Sequence, residues 1–447
     1  MAGNTLRKSG AFRLGSRGQT VVQPDSEAEV ARILGADSRH EPPFRPRGAG
    51  SAATDCNGTP VGTIIDTRGL NRIGPVDLQQ FTVSVQTGVR IRDLASELAA
   101  QGLELEGSHD LMDRSVGGAI ASGCIGPSIG TDGGLFASQL CSARLVTPGG
   151  NLLCVGPEKQ QLLSATRLCY GLLGVLTEVS LRVRPVRPFS ASHRRLGIDA
   201  FAANADKIAR SRAGVKFFLM PFRDRVYLDL RRHDEAAEDG GSLAWRLKDW
   251  GESTVLPQVF RSLKHVVPMA GVRYRLVDEL SRLTQGLVNN RLVTRGSSSA
   301  LQPSGSARRL HYSTWVFPAS DFGVVARAYR DFCVSTHESS GFRCDMPAMG
   351  FRLSRDTSAL LSPLFDEPMM ALRAVSTQQH GWEDFAMDFA AFAEHWGGQP
   401  LFNQSRCLTP DHAQDTLGAR LQFFRKIRRR IDPHDRMLSP FLAQFFL

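Results

Sequence analysis

Residues Asp113–Gly126 read DRSVGGAIASGCIG and set Gly117, Gly118, Gly123 and Gly126 among the small residues Ala119, Ala121 and Ser122. Such a stretch offers a partner main chain rather than side chains. Glycine admits positive φ and lets a ligand approach the backbone closely. Successive N–H groups in a loop of this kind form a concave site for an anion such as a pyrophosphate. A tight turn between packed elements is the alternative reading.

Two further stretches carry the same chemistry. Arg45–Ser51 reads RPRGAGS, with Gly48 and Gly50 around Ala49, directly after Pro42-Pro43. Leu168–Val183 opens with Gly171 and Gly174 and runs into an alternating strand from Val175. A long ligand with a diphosphate would use all three loops at once. No GxGxxG opens a helix after a first strand, so a Rossmann site is not expected. No GK[ST] occurs, which disfavours ATP chemistry.

These loops need scaffolds. The sequence predicts strands at 63–66 and 81–89, a helix over 91–102 and a hairpin over 141–155 turning at Pro148-Gly149-Gly150. Pro185 and Pro188 mark a boundary. Beyond it, strands are expected at 215–222, 225–232, 309–318, 347–354 and 371–379. Helices are expected near 243–265, 270–288, 320–333 and 381–396, then from Thr409 to the turn at 431–440. The expected fold class is α+β, with an N-terminal arm over 1–19, a cofactor domain over 20–188, a substrate (cap) domain over 189–408 and a helical segment over 409–447.

Composition narrows the function classes. The 447 residues suffice for two or three domains, and 42% hydrophobic with 22% charged content is ordinary for a soluble protein. The basic N-terminus lacks the apolar core of a secretory signal. None of the eight cysteines forms a CxxC pair or has zinc-ligand spacing, so no metal site is expected and a cytoplasmic location is. Net charge is +10, and the run RKIRRR at Arg425–Arg430 contributes to it. We expect that run to be the solvated face of a helix whose apolar side carries Leu421, Phe424 and Ile427. Peripheral membrane contact stays open, whereas nucleic-acid binding is not expected because no such motif accompanies the charge.

The order and spacing of RPRGAGS, TIIDTRGLNRI, VSVQTGVRIRDLASELAAQGLEL, RSVGGAIASGCIG and GLLGVLTEVSLRV resemble the FAD-binding domain of the vanillyl-alcohol oxidase (PCMH-type) superfamily. KFFLMPFRDRVYLDL, GGQPLFNQ and IDPHDRMLSPFLAQFF resemble its aldonolactone oxidase branch, together with alditol oxidases and, more distantly, decaprenylphosphoryl-ribose oxidase. The resemblance implies a PCMH-type domain of two α/β subdomains and a cap of antiparallel sheet plus helices. It implies FAD, contacted by Arg47, Gly48, Ala49, Gly50, Ser51 and Ala52 in the first loop. Ser115, Val116, Gly117, Gly118, Ala119, Ser122, Gly123 and Gly126 would follow in the second, and Gly171, Gly174 and Val175 in the third. Many members tether FAD through a histidine in a GxGHS pattern; here Ser51 stands in its place, so the flavin should be non-covalent unless Cys56 or Cys124 is used.

The implied reaction is oxidation of a CH–OH group by hydride transfer to flavin, with O2 or a separate electron carrier as acceptor. The relatives' GGRPHWGK-like motif closes on a lysine near the flavin; here Gln404 takes that position, and Leu401-Phe402 replaces His-Trp. Arg352 is retained from a Glu-x-Arg pair whose carboxylate has become Gly350. The catalytic candidates are therefore Arg352, Gln404, His109 as a free histidine for base work, and Gln378, with Ser376 beside it on an alternating strand face. His311 and Tyr312 are weaker candidates. These losses predict a small-molecule substrate other than the ordinary sugar lactone. A dehydrogenase or desaturase with a protein or quinone acceptor, and a flavin-binding protein without catalysis, are the alternatives. Oligomeric state is open.

Overall fold

The computed structural model describes residues 13–14, 19–105, 112–127, 129, 134–234, 243–288, 292–294 and 310–447. Among the described residues, three larger sheets and a two-stranded ribbon organise it. The first holds Arg13–Leu14 (β1), Gln19–Val22 (β2), Phe44–Arg47 (β3) and Gly62–Asp66 (β4) in the order β1-β2-β4-β3. β4 lies parallel to both β2 and β3, and Thr63–Asp66 is buried throughout. A strand covered on both faces has no solvent side to mark with polar residues. Helix α1 (Glu27–Leu34) places Val30, Ile33 and Leu34 inward, with Glu27 and Glu29 at its N-terminal turn, where acids favour the dipole.

The second sheet is antiparallel: Ile73–Asp77 (β5), Thr82–Gln86 (β6), Leu140–Val146 (β8), Leu152–Val155 (β9) and Val175–Arg182 (β10) pair in the order β5-β6-β10-β8-β9. Leu103–Glu104 (β7) and Arg184–Pro185 (β11) pair antiparallel as a separate two-stranded ribbon. Helices α2 (Ile91–Ala100), α3 (Val116–Ala121) and α4 (Gln160–Thr166) belong to this half. Ile91, Leu94 and Leu98 of α2 meet Val83 and Val85 in one core.

The cap is an eight-stranded sheet. It contains Phe189–Leu196 (β12), Gly214–Met220 (β13), Arg225–His233 (β14), Leu292–Thr294 (β15), His311–Pro318 (β16), Ala348–Leu353 (β17), Met369–Ser376 (β18) and Gln399–Pro400 (β19). Their order is β15-β12-β14-β13-β17-β18-β16-β19. One face packs on α5 (Ile198–Ala209), α9 (Phe322–Ser340) and α10 (Trp382–His395). The other faces the cofactor domain, where Val316, Phe351 and Ala371 join Tyr170, Leu173 and Phe402. Helices α6 (Leu243–Trp250), α7 (Leu256–Val266) and α8 (Ala270–Gly286) follow β14.

The antiparallel sheet-plus-helices cap and the α+β class agree with the expectation from sequence. Helix α9 runs past its expected end at 333 to Gly341, which sits at φ +72 and stops it. The C-terminal helices α11 (Pro410–Leu417), α12 (Ala419–Ile431) and α13 (Pro440–Phe446) lie against the first domain: the Phe44 N–H donates to the Arg436 carbonyl at 2.8 Å. On α12 the basic run is not one solvated face. Arg428 is fully buried beside Leu421 and Phe424 and pairs with Asp435, because its position falls on the apolar stripe.

Candidate functional site

A cleft lies where the three glycine loops meet, and Asn403 from the cap closes one side. In the first loop Gly50 takes φ +68. Among the described residues the N–H groups of Gly48 to Ala52 have no main-chain acceptor. The end of this loop is clamped to the segment after β19: the Ala53 N–H donates to the Asn403 carbonyl at 2.9 Å and Thr54 Oγ1 to the Phe402 carbonyl at 2.6 Å.

The second loop works differently from its sequence reading. The Val116 N–H goes to the Val89 carbonyl at 2.8 Å and the Gly117 N–H to the Thr87 carbonyl at 2.9 Å. Gly118 N–H reaches only the side chain of its cap, Ser115, at 3.3 Å. Its N–H groups are thus engaged internally, and its glycines serve close approach. A Cβ on Gly48 would lie 1.8 Å from Ser115 Oγ, and one on Gly117 would lie 2.6 Å from Thr87 Cβ. Val116, Ala119 and Val175 are fully buried in apolar cores, so their side chains do not reach the cleft. Gly123 and Gly126 also stand outside its lining.

Arg45 holds the third loop. It is buried and donates to the carbonyls of Tyr170, Gly171 (3.5 Å), Cys56 (2.6 Å) and Met437 (2.7 Å). Burial lowers its pKa to about 10. Arg45→Met would leave these carbonyls without a donor, and we expect a loss of about 3 kcal/mol. A lower urea midpoint at unchanged m-value checks this. Burial also pushes the Cys56 thiol up to about 11. The thiolate is the nucleophile, so Cys56 is poorly suited to tether a flavin.

On the cap side Gln404 is fully buried. Its Nε2 donates to the Gly123 carbonyl at 2.5 Å, and its Oε1 accepts from Thr314 Oγ1 at 3.3 Å and Arg373 Nη2 at 2.9 Å. Arg373 Nε also donates to Thr314 Oγ1 at 2.9 Å, and its guanidinium lies 5.4 Å from the Tyr312 ring centroid. Tyr312 in turn donates its hydroxyl proton to the Ser51 carbonyl at 2.7 Å. Arg114 lines the cleft beside Tyr312 and Cys124.

Sequence reasoning missed Arg373, Arg114 and Asn403. A basic residue inside an otherwise apolar strand, MMALRAVS, was the available signal for the first. Two candidates need correction. Arg352 points to the opposite sheet face and donates from Nε to the Ala209 carbonyl at 2.6 Å, because its neighbour Phe351 takes the cofactor-facing position. Gln378 lies beyond the end of β18 and bonds the Arg343 carbonyl at 3.1 Å; Ser376 bonds Asp345. His311 faces the helices beside Trp382, and burial holds its pKa below the ordinary value. His109 lies outside the described residues.

Free N–H groups for a pyrophosphate, a cradle that added Cβ atoms would fill, and the buried Asn403 Oδ1 without a partner suit FAD. A family model described as FAD binding domain matches residues 18–156. Fold and site thus define an FAD-binding flavoprotein of the PCMH type. A second model, described as D-arabinono-1,4-lactone oxidase, matches residues 179–445. The chain belongs to that family.

Among its relatives, an L-gulono-1,4-lactone dehydrogenase of Mycobacterium tuberculosis is 30% identical over 216 residues, 48% of this chain and 49% of that protein. That alignment spans about half the length of the relative. An L-gulonolactone oxidase of Scyliorhinus torazame is 23% identical, covering 95% of this chain and 94% of the other. A cholesterol oxidase structure from Brevibacterium sterolicum superposes with a TM-score of 0.77 at 13% identity, covering 99% of both chains. That likeness shows the fold.

Proposed function

We propose that this protein oxidises a CH–OH group of a sugar-derived, polyhydroxylated substrate, with O2 or a separate electron carrier as final acceptor. The observation that carries this reading is the hydrogen bonding that ties the cap network to the glycine loops, from Tyr312 to the Ser51 carbonyl and from Gln404 to the Gly123 carbonyl. FAD, when bound, supplies the hydride acceptor. The Gly48–Ala52 N–H groups would hold its pyrophosphate, and the unpartnered Asn403 Oδ1 would accept a hydrogen bond from it. Arg373, fixed by Gln404 and Thr314, puts positive charge on the cap wall, where it favours negative charge arising in the reaction. This supports catalysis over a flavin carrier without chemistry, since β18 supplies the cation expected at position 404. The expectation of a substrate other than the ordinary sugar lactone is given up, since Arg373 offers the cation missing at position 404 and the named relatives act on such lactones. A cytoplasmic location fits eight cysteines that are all unpaired.

The test is spectroscopic. Flavin absorbance should move to the supernatant on acid denaturation, as expected of a non-covalent cofactor at Ser51, and an aldonolactone or alditol should bleach it anaerobically. Flavin that no such substrate reduces would overturn the oxidation; a protein that cannot be reconstituted with FAD would overturn the site itself.

A further inference from the structure

Paired residues on the cofactor-facing surface of the cap sheet line up in rows across the strands. One row runs Thr314, Arg373, Met349, Phe218 and Tyr227. The next runs Val316, Ala371, Phe351, Lys216, Asp229 and His193. It is apolar near Gln404 and ionic towards the far edge. Asp229 is 1% exposed, with Oδ1 2.6 Å from His193 Nδ1 and Oδ2 accepting from Lys248 Nζ at 3.0 Å. Lys248 comes from α6, is fully buried, and sits 5.1 Å from the Phe218 ring centroid. Burial alone would raise the Asp229 carboxyl, but Lys248, His193 and, to a smaller extent, the nearby Arg231 charge hold it well below the usual carboxylate range.

Both oxygens of Asp229 are therefore taken. Arg231 lies two residues further along the same face at 4% exposure, and its Nε and Nη1 have no hydrogen-bond partner. The His193 side chain is 5% exposed, and its Nε2 has none either. A buried guanidinium without an acceptor is strongly unfavourable, so such groups mark the place of a missing anion.

We propose that Arg231 and His193 form a subsite for an anionic group, a carboxylate or a phosphate, at the end of the substrate remote from the oxidised carbon. Asp229 is the positioning residue: it accepts Nδ1–H and turns Nε2 away from itself, and in the imidazolium form His193 donates Nε2–H to the anion. Lys248 is shared between Asp229 Oδ2 at 3.0 Å and Glu252 Oε1 at 3.3 Å, and the Arg231 Nε and Nη1 hydrogens are the ones left for the ligand. The assignment of this end to the substrate rests on the proposed oxidation. From the Arg373 strand to the Asp229 strand is three steps across the sheet, roughly 14 Å at about 4.8 Å per strand. The full substrate thus extends beyond one sugar ring along Met349, Phe218 and Tyr227, and a neutral aldonolactone presents its oxidised end alone.

Thermal unfolding of the flavin-loaded protein tests this with acetate and inorganic phosphate, against chloride at matched ionic strength. Saturable stabilisation is expected, with the apparent affinity falling at least tenfold in Arg231→Gln. A stronger response to phosphate identifies a phosphoryl group, and a stronger response to acetate a carboxylate. No anion-specific stabilisation of the wild type, or an equal response in the variant, overturns the subsite. If Arg231→Gln does not fold, His193→Asn is read in the same assay with the same expected loss. Anaerobic bleaching by a neutral aldonolactone reports on the oxidation separately: its loss with anion binding intact rejects the reaction, and the converse rejects the subsite.

Discussion

Gly48→Ala is expected to weaken FAD binding about ten- to hundredfold, since overpacking typically costs about 1–3 kcal/mol and each 1.4 kcal/mol is about a factor of ten. The added methyl would lie 1.8 Å from Ser115 Oγ and 2.8 Å from Ser115 Cβ. Ser115 cannot turn away freely, because its hydroxyl caps Gly118 at 3.3 Å. Either that cap is lost or the first loop moves, and the Gly48–Ala52 N–H groups move with it. Flavin titration followed by fluorescence quenching measures the change. Gly48→Ala combined with Ser115→Gly should recover most of the affinity, since both clashing atoms are then gone. Equal FAD affinity for Gly48→Ala and wild type would show that this loop does not hold the cofactor.

Arg373→Met should slow anaerobic flavin reduction by about 100- to 1000-fold, the scale for removing one preorganised electrostatic partner. FAD binding should persist, because Arg373 is not among the cleft-lining residues. Gln404→Lys, which restores the residue implied by the resemblance, should also impair the protein. The new ammonium would replace an Oε1 now 2.9 Å from Arg373 Nη2. Two like charges at about 4 Å repel by about 4 kcal/mol at an effective dielectric constant near 20. The double variant Arg373→Met with Gln404→Lys should reduce flavin faster than either single one. A Gln404→Lys protein as fast as wild type would refute the idea that the cation has moved to β18.

The parity of a strand explains most of the misplaced candidates. Successive side chains point to opposite faces, so GFRLS and ALRAVS each offer two faces, and local sequence does not say which one meets the cofactor. Shifting that choice by one residue sends Arg352 away and brings Arg373 in. The register of β18 between β16 and β17 made the choice. Gln378 fails for a related reason, since β18 ends at Ser376 and the alternation stops there.

The sequence by itself determined the α+β class, the hairpin of β8 and β9, the glycine loops and the serine at position 51. Those features are local: glycine spacing, turn residues and alternation act within a few residues. The tertiary structure decided which loop keeps its N–H groups. Those of Val116 and Gly117 are consumed by Val89 and Thr87, residues distant in the chain, while those of Gly48 to Ala52 remain available. It also joined Gln404 to Arg373. Such contacts depend on long-range pairing, which residue types at short spacing do not encode.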